Sequence, residues 1–313
     1  MRTDHYARSG RRWALGAELV YRPIAAELVA MSPHSLAGRT VLDAGAGTGA
    51  ASSALNAQHA RALATDLSAG MLAWDAAARP PCAVADIRAL PLADGSVDDA
   101  VGAFVLNHLT DPVSGLAELA RVTRPGGAIL AAVFSNDSRS EARDRIDAIA
   151  QAAGWQVPAW YAELKATAVP ILGSRAGMAS AARETGLAEV RAEERPVDVG
   201  VTEPEQLVRY RFGHPIFATG STRSAPRAPV RSPPPPSRRS AKTCSRTGPQ
   251  SCSSPPGPLM THRRPKPGAD PIHRRTANDR SPAHSAARCR PPSAAIGIEI
   301  GARCQISLPA ALP

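Results

Sequence analysis

Glycines at 45, 47 and 49 close a short apolar run in VLDAGAGTGAAS, residues 41–52. A glycine turn after a strand lets backbone N–H groups approach a ligand, and GAGTGA at 45–50 satisfies G-x-G-x-x-G/A, the spacing that cradles a dinucleotide pyrophosphate. The same turn could hold a cofactor without phosphate, or only join a strand to a helix. Asp43 weighs against pyrophosphate: it stands two residues before Gly45, where the dinucleotide pattern keeps an apolar residue, and its charge would repel the phosphates. Asp66 and Asp86 end two further strand-like runs. In a doubly wound sheet the carboxyl ends of the strands form the ligand crevice. Three acids at one mouth suit a ligand that is cationic and rich in hydroxyl and amino donors.

The positioning elements follow from the apolar pattern. Strands are predicted over 40–43, 62–66, 82–85, 97–106 and 128–134, and helices over 11–31, from the glycine turn to about 58, over 68–77 with Ser68 as N-cap, and over 111–122. The first helix carries an apolar stripe of Leu15, Leu19, Ile24 and Leu28, and Pro23 is expected to kink or divide it. Further helices are predicted over 139–153, 174–185 and 203–212, with extended chain over 188–201. Apolar strands alternating with helices give an α/β domain with a doubly wound, mostly parallel sheet. Residues 1–38 read as an N-terminal helical cap, 39–220 as the ligand-binding domain and 221–313 as a tail.

S-adenosylmethionine answers the ligand description, with a sulfonium, an ammonium, a ribose and no phosphate. The stretches VLDAGAGTG, ATDLSAGML, ADIRALPLADGSVDDAV and LNHLTDPVSGLAELARVTRPGGAIL resemble, in order and spacing, the motifs of class I S-adenosylmethionine-dependent methyltransferases. The resemblance spans roughly residues 10–217 and lies with the broad small-molecule group that includes the quinone methyltransferases. It implies a Rossmann-like methyltransferase fold and methyl transfer to a small-molecule acceptor. It also implies that Gly45, Gly47 and Gly49 admit the methionine part, and that Asp43 holds the turn or receives the ammonium. Asp66 would accept both ribose hydroxyls, Leu67 and Met71 would line the adenine, and Asp86 with the Ile87 amide would read the adenine edge. Phe104, within 103–106 at the end of the fourth strand, would lie beside the methyl group. His108 is the one candidate general base, and a His here is common in this group without being catalytic, so it is expected to be dispensable. Asp94, Asp98 and Asp99 are expected to shape a solvated turn, and Glu118 to face solvent. The acceptor pocket is expected among Tyr6, Trp13, Tyr21, Trp155, Trp160 and Tyr161.

Charge separates the chain into two parts. Residues 221–313 hold 16 Lys and Arg against 3 Asp and Glu, a charge of +13, which leaves −3 for residues 1–220 out of the overall +10. The basic balance therefore belongs to the tail, and the slightly acidic body speaks against a nucleic-acid surface. All 12 aromatic residues precede position 221, so the tail has none on which bases could stack. No apolar run is long enough to span a membrane, and a cytoplasmic setting is expected. Cys82 stands alone in the body and the tail cysteines lack paired zinc spacing, so no metal is expected. The tail holds 18 of the 30 Pro and reads as disordered or as an out-of-frame translation lacking the final strand of the sheet. AIGIEIGARCQISL, 295–308, resembles two short strands for which no docking is expected. Two alternatives stand beside methyl transfer: a cofactor-binding remnant without catalysis, and an RNA-associated methyltransferase recruited by the tail.

Overall fold

Strands apolar on both faces are stable only when helices cover both sides. The computed structural model of the chain has this arrangement, and it describes residues 4–218, 295–297 and 302–305. A short helix α1 (Gly10–Arg12) runs through a π-type turn (Trp13–Ala17) into α2 (Glu18–Ala30). There follow β1 (Thr40–Ala44), α3 (Ala50–Ala57), β2 (Arg61–Asp66), the single turn α4 (Ala69–Leu72), β3 (Cys82–Val84) and β4 (Asp99–Ala103). A 3₁₀ turn (Leu106–His108) leads to α5 (Pro112–Val122), β5 (Ile129–Ala132), α6 (Glu141–Ala152), α7 (Ala159–Leu172) and α8 (Arg175–Glu184). Two short strands, β6 (Glu189–Arg191) and β7 (Arg195–Asp198), precede α9 (Pro204–Gly213).

The main sheet has the order β3-β2-β1-β4-β5, with every pairing parallel. The chain winds outward from β1 to β3 and returns to β4 on the other side of β1. That reversal opens a crevice at the carboxyl ends of β1 and β4. Alternate strand residues face opposite cores. Leu42, Ala100 and Ile129 pack with Leu116 and Leu119 of α5 and Met178 of α8. Val41, Val101 and Leu130 pack with Val20, Ile24 and Leu28 of α2 and Leu55 of α3.

Several elements differ from the sequence expectation for physical reasons. Pro23 lies inside α2 without dividing it; the irregularity is the π-type turn before it, where Gly16 crosses α9 so closely that an added Cβ would sit 2.2 Å from the Arg209 carbonyl. Val97 pairs only with Thr123 as an isolated bridge, so β4 begins two residues later. Asp99 is buried rather than solvated: it accepts from Arg39 Nε, from His34 Nε2 at 2.9 Å and from the Ala128 amide at 2.7 Å. Burial pushes its carboxyl up, but these donors outweigh burial and hold it below the usual carboxylate range. Glu118 likewise does not simply face solvent, because Oε1 accepts the Leu90 amide at 2.6 Å and Arg121 binds both of its oxygens.

Two segments far along the chain also pair. β8 (Ala295–Gly297) lies parallel to β6, and β9 (Ala302–Gln305) parallel to β7, which corrects the expectation that this stretch stays undocked. The reason is backbone satisfaction: β6 and β7 do not pair with the main sheet, and their strand edges accept these partners. The reading of the rest of the tail as disordered or out of frame lies outside the described residues.

Candidate functional site

A cavity of about 410 Å³ opens at the carboxyl ends of β1, β2 and β4, within the size range of small-ligand sites. One wall is the glycine turn. Gly45, Gly47 and Gly49 all have positive φ, at 73°, 54° and 102°, and Gly49 is the left-handed N-cap of α3. A side chain is poorly tolerated in that conformation, which is why the turn needs glycine there. Gly47 leaves open space: an added Cβ would meet only Met71 Cε, at 3.5 Å. The room beside it is the cavity itself.

The acids are fixed by the backbone. Asp43, 1% exposed, accepts from Ser52 Oγ at 2.6 Å, and burial pushes its carboxyl up to about 6. Asp66 accepts the Gly47 amide on one oxygen and the Ser68 amide on the other, both at 2.8 Å. Burial raises its pKa and these two N–H groups oppose the rise. Each oxygen keeps a further lone pair for a ligand hydroxyl. Leu67, 41% exposed, and buried Met71 line the cavity beside Asp66.

Asp86 is the exception among the acids. Ala85 and Ile87 line the cavity, but Asp86 does not; Arg88 binds both of its oxygens, with Nε at 3.0 Å and Nη2 at 2.5 Å. The Arg88 amide also donates to it at 3.0 Å, an Asx-type turn that aims the carboxylate back along its own loop. Phe104 lines the cavity at the end of β4 with φ at 60°, a backbone conformation that costs a non-glycine residue about 1–3 kcal/mol and that clusters at functional sites. Tyr21 meets its ring edge-on at 4.8 Å between centroids, and Phe134 packs against it at 4.8 Å with the rings tilted by 37°.

The far end of the cavity comes from the N-terminal segment and α7. Tyr6, Trp13, Tyr21 and Trp160 line it as expected. Trp155 and Tyr161 do not: Trp155 stacks on Phe217 at 4.3 Å and donates to the Ile216 carbonyl, and Tyr161 packs edge-on against the outside of Trp160. His108 lines the cavity, with Nδ1 3.5 Å from the Tyr6 hydroxyl. Burial pushes the Tyr6 hydroxyl pKa up, so this hydroxyl stays protonated.

Sequence reasoning passed over several participants. Glu18, buried on α2, accepts from Thr48 Oγ1 at 2.7 Å and so ties the glycine turn to the helical cap. Arg79 donates to the Gly47 carbonyl and, at 3.0 Å, to the Trp74 carbonyl, clasping the turn from outside. Glu163 of α7 and Asp4 line the cavity, and among its described lining residues there is no Lys or Arg. A pyrophosphate has no counter-charge here; a cationic, hydroxyl-bearing ligand does.

Residues 42–131 match the methyltransferase domain family. The matched segment holds the glycine turn with Asp43 and Asp66. The demethylmenaquinone methyltransferase of Mycolicibacterium paratuberculosis is 37% identical over 127 residues, covering 41% of this chain and 54% of that protein. That of Beutenbergia cavernae is 37% identical over 124 residues, covering 39% and 50%. The chain thus spans about half the length of these relatives. A solved S-adenosylmethionine-dependent methyltransferase from Mesorhizobium loti is 30% identical over 32% of this chain and 49% of that one, with a TM-score of 0.30. Among the described residues no helix is long and apolar enough to cross a membrane.

Proposed function

We propose that this protein binds S-adenosylmethionine in the cavity and transfers its methyl group to a small organic acceptor by in-line displacement. The observation that carries the reading is an anionic mouth, Asp43 and Asp66 around three positive-φ glycines, with no lysine or arginine among the described lining residues. The residues suit the cofactor part by part: Gly47 leaves room for the methionine chain, Asp43 faces its ammonium, and Asp66 accepts the ribose hydroxyls. Leu67, Met71 and Ile87 enclose the adenine, and the Ile87 amide reads its edge; Asp86, engaged by Arg88, is left out of that role. Phe104 stands beside the methyl group. When bound, S-adenosylmethionine supplies an electrophilic methyl on a sulfonium, with a neutral thioether as leaving group. The protein's part is to align the acceptor behind the methyl carbon and exclude water, and such placement contributes about 7–11 kcal/mol to lowering a barrier. Calorimetry with adenosylhomocysteine and with NAD, followed by thioether release over an acceptor panel, tests this. Tight NAD binding with no response to adenosylhomocysteine would overturn it.

Asp43 makes the binding pH-dependent. Its carboxyl is raised to about 6 in the folded protein from 3.8, chiefly by burial, with nearby Asp66 adding to the rise and Ser52 and Arg79 opposing it. A raised carboxyl stabilises the unliganded fold at low pH, and that contribution is lost as pH rises through about 6. The ammonium needs the ionised form. Adenosylhomocysteine affinity should therefore be flat near pH 7 and fall by up to about tenfold per unit below 6, and Asp43→Asn should make the fall shallower, the remainder coming from Asp66, whose carboxyl burial also raises. An unchanged slope in that variant rejects the assignment.

His108 is expected to be dispensable. One of its neighbours in the cavity wall is the Tyr6 hydroxyl, 3.5 Å from Nδ1, which stays protonated. His108→Gln should lower turnover by less than about 100-fold, the lower limit for losing a positioned base. A larger fall with intact adenosylhomocysteine affinity would make His108 catalytic.

A further inference from the structure

Arg79 stands behind the cavity wall, on the link between α4 and β3, and reaches 32 residues back along the chain to the glycine turn. Its Nη2 donates to the Gly47 carbonyl and its Nε to the Trp74 carbonyl at 3.0 Å, so the guanidinium ties its own link to the turn. Gly47 is thus held on both sides, because its amide donates to Asp66 at 2.8 Å. With φ at 54° and no Cβ, it has the freedom to turn either polar group elsewhere, and these two bonds fix it. The Gly49 backbone lies against the same guanidinium: an added Cβ there would meet Nη2 at 3.4 Å. Nη1 is buried and has no hydrogen-bond partner among the described residues, so this end of the head group is shut away from water, where a charge acts most strongly.

Two carboxyls stand within reach of that charge. Burial pushes Asp43 and Asp66 up; hydrogen bonds from Ser52 to the first, and from the Ser68 and Gly47 amides to the second, oppose the rise, and so does Arg79. Of the other titratable groups around them, Asp4 of the N-terminal segment, Glu18 of α2 beside Thr48 and Glu163 of α7 are carboxyls, and His5, Tyr6 and His108 also line the cavity. With no Lys or Arg among the described lining residues, the positive charge that balances these acids comes from behind the wall. We propose that Arg79 is a positioning residue for the cofactor: from behind the glycine turn it fixes Gly47 and supplies the counter-charge for Asp43 and Asp66. The proposal rests on the methyl-transfer reading and adds to it a residue that does not itself line the cavity.

The test is calorimetry of adenosylhomocysteine binding to the full chain between about pH 5 and 8, for wild type, Arg79→Met, Arg79→Lys and Arg79→Gln. Without the guanidinium both carboxyls ionise at higher pH, so in Arg79→Met the midpoint of the affinity fall should move up by about one unit. At about pH 8 its affinity should still be about five- to tenfold below wild type, because the Gly47 carbonyl has lost its donor. Arg79→Lys keeps the charge and should restore the wild-type midpoint. Arg79→Gln keeps a donor without the charge and should shift the midpoint as Arg79→Met does. A merely structural clasp would lower affinity equally at every pH; that result, or a midpoint moved as far in Arg79→Lys as in Arg79→Met, overturns the proposal. If Arg79→Met does not fold, Arg79→Gln decides in its place, and a wild-type midpoint in it overturns the proposal. Failure of the wild-type chain to bind adenosylhomocysteine at all would instead overturn the methyl-transfer reading.

Discussion

Asp66→Ala is expected to weaken adenosylhomocysteine binding by about 10- to 150-fold, the equivalent of losing about 1.5–3 kcal/mol of hydrogen bonding to a charged acceptor. The effect has two sources. The ribose hydroxyls lose their acceptor, and the Gly47 and Ser68 amides, each 2.8 Å from the carboxylate, lose theirs. Because Asp66 joins the glycine turn to the start of α4, its removal also loosens the wall that receives the methionine chain. Asp66→Asn separates these contributions: it keeps an acceptor oxygen for one amide but gives up the charge, and its affinity should fall between wild type and Asp66→Ala. Calorimetry on the three proteins checks the ordering. Affinity within about twofold of wild type in Asp66→Ala would remove Asp66 from the cofactor site.

Gly70→Ala is expected to unseat the N-terminal segment from the cavity. A Cβ at Gly70 would lie 1.8 Å from the Ala7 carbonyl oxygen and 2.6 Å from its carbon, both backbone atoms that no side-chain rotation can move aside. Gly10 meets the same turn from the other side, with its own added Cβ 2.5 Å from the Gly70 carbonyl. The methyl therefore displaces the chain that carries Asp4, His5 and Tyr6, and with it the stacked partner of Trp160. Overpacking of this kind costs about 1–3 kcal/mol, which for a domain of this size lowers Tm by about 2–12 °C. Cleavage by trypsin after Arg8 should become faster while the main sheet stays protected. A variant with the wild-type Tm and the wild-type cleavage rate would show that the close approach is dispensable.

The glycine turn and its acids were legible because the information is local. Asp43 and Asp66 each end an apolar strand, and strand ends in a doubly wound sheet converge on one crevice whatever the loops do. Asp86 satisfied the same pattern, yet it does not line the cavity. Whether a carboxylate after a strand faces the crevice or folds back onto a cation two residues on is decided by loop geometry, which apolar periodicity does not report. Asp99 was misread in the opposite sense: in a run of acidic residues nothing local announces that Arg39 and His34, about 60 residues earlier in the chain, will meet it under the sheet. Helix α7 was not among the predicted elements; Pro158 stands at its N-cap and Pro170 within its last turn.

By itself the sequence determined the parallel sheet and the anionic turn, since each depends on residue types within a few positions of one another. Tertiary structure alone decided which acids face the cavity, which tryptophans line it and how the N-terminal segment lies against Gly70. Those outcomes depend on side chains brought together across long stretches of chain, and packing against distant partners leaves no periodic trace in the sequence.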